Sequence, residues 1–80
     1  MKCDHYDYIE IACMFKYPIV LKLASGEEIS ATAIDTSLNE QRQECLKIDT
    51  EVGFRLIVLD TIASLRVTVN NPHFEHIEFL

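Results

Sequence analysis

At Pro18 the hydrophobic period of this chain changes, so the residues before and after it must form different kinds of element. In CDHYDYIEIACMFK, before the proline, the spacing is helical. Ile9, Ala12, Tyr8, Phe15 and Ile11 gather on one broad side, and Tyr6, Asp7, Glu10 and Met14 share the other. Asp4 is placed to cap the first turn, with Asp7 at the capping-box position three residues on, and both negative charges suit the positive end of a helix. Pro18 stops the element and pushes Tyr17 towards an extended conformation, so the expected helix covers about residues 5 to 16.

After Pro18 a two-residue period takes over. In PIVLKLA, Ile19, Leu21 and Leu23 fall on one face. Ser25-Gly26 then turns the chain into EEISATAID, where Ile29, Ala31 and Ala33 alternate with Glu28, Ser30 and Thr32. TSLNEQRQ, residues 36 to 43, is polar without a period and reads as a loop. ECLKID directs Leu46 and Ile48 inward, a turn at TEVG contains Gly53, and FRLIVL follows with Phe54, Leu56 and Val58 on one face. The other face of that strand, Arg55, Ile57 and Leu59, is also largely apolar, so both sides are expected to be covered. DTIAS leads into LRVTV, with Leu65, Val67 and Val69 on one side, and Asn70-Asn71-Pro72 breaks that strand. The tail HFEHIEFL reads either as a last edge strand or as a loosely packed end.

One helix and five or six short strands in 80 residues make a single domain, residues 1–80, of mostly β class. Open apolar edges invite aggregation in so small a sheet. The expected arrangement is therefore a strongly bent sheet closing into a barrel over about residues 18–69, with the helix across it or plugging one end and a tail at residues 70–80.

Seven basic residues against thirteen acidic ones give a net charge of -6, which repels a phosphate backbone and favours a basic partner surface. No apolar run approaches the ~20 residues of a membrane span, and the N-terminus has no basic region followed by a hydrophobic segment. Three cysteines without framework spacing fit reduced thiols, and with these features the expected location is the cytoplasm. On a helix, Cys3 and Cys13 lie roughly 15 Å apart, beyond the ~7 Å limit for a disulfide. Cys3, His5, Cys13, His73 and His76 lack the close C-x2-C type of pair that marks zinc sites, so no metal or other cofactor is expected. All three histidines lie near the termini, no nucleophile motif accompanies them, and the two glycines form no phosphate loop, so the chain does not read as an enzyme. What distinguishes it is the outer helix face, where carboxylates sit beside an aromatic and a methionine, residue types suited to an interface.

The stretch CDHYDYIEIAC, followed by LKLASGEEI and RLIVLDTIASL, resembles the Rof family of Rho-binding antiterminators over about Cys3 to Val69. The N-terminal C-D-x-Y-D-x-[IL]-E-[IL]-A-C pattern is the most specific part of the likeness. The resemblance implies an Sm-like fold, a helix on a small bent barrel. It also implies an inhibitor that binds the N-terminal domain of the termination factor Rho and blocks its primary RNA-binding surface. The family's helix contacts fall on Tyr6, Asp7 and Glu10, with Asp4 beside them, and its loop contacts fall on Arg42, with Asn39 and Gln41. An acidic inhibitor of this kind is expected to be a monomer when free. The alternative reading is an Sm-like RNA-binding module using Arg42, Arg55 and Arg66, against which the net charge argues.

Overall fold

The computed structural model describes residues 3–72 and 74–79, of residues 3 and 4 the backbone only. Helix α1 spans Cys3–Met14, and the strands are β1 Pro18–Leu23, β2 Glu28–Leu38, β3 Glu44–Thr50, β4 Gly53–Val58, β5 Ile62–Val67 and β6 His76–Glu78. All neighbouring strands are antiparallel, in the order β4-β3-β2-β1-β5-β6.

The helix runs two residues earlier at each end than the sequence leads one to expect. Asp4 therefore lies inside the first turn instead of capping it. At the other end the Tyr17 amide donates to the Ala12 carbonyl (3.0 Å) and the Lys16 amide to that of Cys13 (3.1 Å), with Lys16 at φ 50°. This is a Schellman closure with lysine in the left-handed position that glycine usually fills. Ile9, Ala12 and Cys13, at i, i+3 and i+4, are the buried stripe, and α1 lies against β2. Complete burial of Ile9 is worth about 1.5–3 kcal/mol.

Strand β2 organises the sheet. Its first part pairs with β1 and its second with β3, Thr32 facing both Pro18 and Asp49. Between Ala33 and Asp35 the register shifts around Ile34, a bulge that bends the strand and turns Thr36, opposite buried Leu46, towards the helix side. The strand thus continues through Leu38, and the loop is only residues 39–43, shorter than the expected 36–43.

The sheet bends but does not close: β4 and β6 are its edges, and β4 is not paired with β5. A 3-10 turn, Leu59–Thr61, carries the chain across this gap with Leu59 buried, so a packed side chain stands where barrel closure would need a ladder. Outside the gap, Arg55 of β4 reaches Glu27, the residue just before β2, in a two-pronged ion pair (3.0 and 3.4 Å). The core is one cluster, led by Ile9, Ile19, Leu21, Leu46, Ile48, Ile62 and Leu65.

Two expected orientations differ. On β4 the core side is Ile57, followed by Leu59, whereas Phe54 and Leu56 are exposed, so the strand is covered on one side only. Lys47 lies over the Phe54 ring at 4.5 Å. Phe15, expected beneath the helix, is half exposed and stacked on Tyr17.

The tail resolves into an edge strand and a strap. Phe79 and Val67 amides donate to the Ala63 and Glu75 carbonyls (both 2.8 Å), and the Asn71 side chain bonds both the amide and the carbonyl of Phe74. Edge-on ring contacts of Phe74 with Tyr8 (5.1 Å) and Phe79 with His5 (4.9 Å) then hold α1 from the side away from β2.

Candidate interaction surface

Fixing α1 between β2 and the tail leaves one stripe of it to solvent. Asp7, Glu10 and Met14, at i, i+3 and i+7, are exposed, Met14 by 73%. Tyr6 departs from the outward position expected for it. It is half-buried against the core because the bent half of β2 rises beside it, and it forms one lip of a groove instead of part of an open face.

This groove, about 430 Å³, lies between α1 and the ends of β2 and β3. Tyr6 and Glu10 line one wall, and Thr36, Ser37, Leu38 and Glu44 the other. A second groove of about 390 Å³ continues along the helix past Cys13, Met14, Ile34 and Asp35, sharing Glu10 and Thr36 with the first and ending near Lys16. Three carboxylates against one ammonium make the trench electronegative. Burial first, then the Asp35 carboxylate, push the Cys13 thiol up to about 11, with Lys16 opposing and Glu10 adding.

The loop adjoins the groove, since Leu38 and Glu44 are the strand residues flanking it. Asn39 holds its shape: Oδ1 accepts the amides of Gln41 (3.0 Å) and Gln43 (2.9 Å), and Nδ2 donates to Gln43 Oε1 (2.9 Å). Gln41 and Arg42 ride exposed on this turn, Arg42 at φ 61°. Helix and loop residues selected from the sequence are thus brought to one side of the molecule, while the side chain of Asp4 lies outside the described residues. Leu38 and Glu44 escaped the sequence reading. An isolated leucine in a polar run, with a carboxylate opening the next strand, was the available signal.

The three arginines do not form a common patch. Arg42 is in the loop, Arg55 is engaged by Glu27, and Arg66 lies exposed on β5 opposite Val20. The bond to Arg55 holds the Glu27 carboxyl below its ordinary range. Among the described residues no group of three or more His, Cys, Asp or Glu could hold a metal ion, and Cys13 and Cys45 are free, buried thiols. The zinc combination weighed from the sequence involves the Cys3 side chain and His73, which lie outside the described residues. Among the described residues no helix is long and apolar enough to cross a membrane.

The molecule is thus a small helix-on-sheet domain, with an acidic stripe and groove along the helix. The chain matches the family model for the modulator of Rho-dependent transcription termination (ROF) over residues 1–79, and it belongs to that family. It is 33% identical over 64 residues to Protein rof of Escherichia coli K12, covering 80% of this chain and 75% of that one, and to the same extent to Protein rof of Shigella flexneri. Its fold is similar to the solved structure of YaeO bound to magnesium from Vibrio cholerae O395. There the TM-score is 0.90 at 40% identity, over 94% of this chain and 97% of the other. The family is one of regulatory modulators of termination.

Proposed function

We propose that this protein inhibits Rho-dependent termination by binding the N-terminal domain of Rho and occluding its basic primary RNA-binding surface. The observation that carries the reading is the exposed stripe Asp7, Glu10 and Met14 beside the Tyr6 groove, on a chain of net charge -6. Carboxylates on a rigid helix compete with RNA phosphates for the same cationic groups, and the apolar contacts set the register. Asp7 and Glu10 supply the charge, Tyr6 and Met14 the apolar contact, and Asp4 is a further charged contact in this reading. Arg42, with Gln41, forms a second contact from the loop that Asn39 shapes. In this reading the protein is a cytoplasmic monomer when free and needs neither cofactor nor catalysis.

Titration calorimetry against purified Rho tests it. A folded Asp7→Lys variant is expected to bind about 2–3 kcal/mol more weakly through like-charge repulsion, and wild-type affinity is expected to fall with salt. Unchanged affinity in that variant counts against the helix face.

A further inference from the structure

We infer that the groove between α1 and the end of β2 seats an arginine side chain of the basic partner; this deepens, and rests on, the reading above. The groove has the two kinds of surface that a guanidinium on an aliphatic stem requires. Leu38, 58% exposed although it is a leucine, and the ring of Tyr6 offer apolar walls for the methylenes and for stacking of the guanidinium plane. Glu10 on the helix and Glu44 on β3 put a carboxylate on each wall. Among the described residues neither makes an ion pair. The walls are held independently of any ligand. Tyr6 packs on the core, and Leu38 is paired with Glu44 across the base of the loop that Asn39 clasps.

Arginine suits this slot better than lysine. Its planar, weakly hydrated head can stack on Tyr6 while its fork donates to a carboxylate, whereas an ammonium holds its water and has no face to stack. Glu44 and Leu38 thereby become recognition residues on the sheet, opposite the helix stripe.

Two measurements separate this seat from the wider reading. In the first, amide NMR spectra of the protein are followed while N-acetyl-argininamide is added. The largest shifts are expected at Leu38, Glu44, Tyr6 and Glu10, smaller ones with N-acetyl-lysinamide, and a loss of the pattern in Glu44→Gln. Shifts no larger than those at exposed Glu51 and Glu75 overturn the seat, and equal shifts with the lysine probe overturn its preference for arginine. In the second, calorimetry against Rho compares Glu44→Lys and Leu38→Ala with Asp7→Lys, each checked for wild-type circular dichroism. Glu44→Lys is expected to weaken binding by about tenfold or more, and Leu38→Ala by about threefold. If Asp7→Lys loses affinity while Glu44→Lys stays within about twofold of wild type, the groove is not used but the helix face stands. If all three bind like wild type, the proposed Rho interaction surface is itself wrong.

Discussion

Asn39 and Gln43 are joined by three hydrogen bonds. The backbone amide of Asn39 donates to the Gln43 carbonyl (3.1 Å), its Oδ1 accepts the Gln43 amide (2.9 Å), and its Nδ2 reaches Gln43 Oε1 (2.9 Å). This clasp, together with the Gln41 amide on the same Oδ1, allows the β2–β3 loop to hold Arg42 in a left-handed conformation. Asn39→Ala removes three side-chain bonds at an accessible site and is expected to cost about 1–2 kcal/mol. Urea denaturation followed by circular dichroism measures this. A midpoint identical to wild type would show that the loop is held by its backbone alone.

Lys16 closes the helix at φ 50°, and an ordinary L side chain there costs roughly 1 kcal/mol. Lys16→Gly removes that cost, and the greater backbone freedom of glycine in the unfolded chain offsets part of the gain. A net stabilisation of about 0.5 kcal/mol is expected, read as a higher urea midpoint at unchanged slope. A lower midpoint would mean that the lysine side chain contributes more than its backbone conformation costs.

Burial, and then the neighbouring Asp35 carboxylate, push the Cys13 thiol of the folded protein above the ordinary thiol range, to about 11. The folded state therefore keeps its proton where the unfolded state has lost it. The stability contributed is complete below pH 9 and falls as pH rises towards 11. Melting temperature between pH 8 and 10.5 is expected to fall less steeply in Cys13→Ala than in wild type. Parallel slopes would contradict this linkage. The same burial predicts that the native thiol resists alkylation at pH 8 until the protein unfolds.

Phe74 contacts Tyr8 edge-on, and Asn71 fixes its backbone, so the tail holds the helix in place. Phe74→Ala is expected to destabilise the fold by about 2–3 kcal/mol, below the cost at a fully buried site because Phe74 is only half-buried. Hydrogen exchange should quicken in α1 before the centre of the sheet. Uniform loss of protection would mean that the strap supports the whole core and not the helix in particular.

The helix, strands β1 and β3, the first part of β2 and the turns at Gly26 and Gly53 were legible because alternation in PIVLKL, EISATA and ECLKI is uninterrupted and each glycine takes a positive φ. What was not legible follows from long-range contacts. The bulge at Ile34 breaks the period-two pattern, so TSL reads as loop although it is strand. Tyr6 sits at an outward angle by helical periodicity, yet the bent end of β2 covers part of it, which no local pattern encodes. On β4 both faces are apolar, and only the packed structure distinguishes buried Ile57 from exposed Leu56. Asp7 and Glu10 were read correctly as exposed because their spacing places them opposite buried Ile9 and Ala12; the groove residues Leu38 and Glu44 belong to a surface made by two distant segments.

The most direct test of the central claim is fluorescence anisotropy of a labelled pyrimidine-rich RNA bound to purified Rho, titrated with this protein, with the protein on RNA alone as control. Occlusion of the RNA surface predicts that the Rho-bound signal falls to that of free RNA while the control stays flat. RNA that remains on Rho at saturating protein, or a rise in the control, would contradict it.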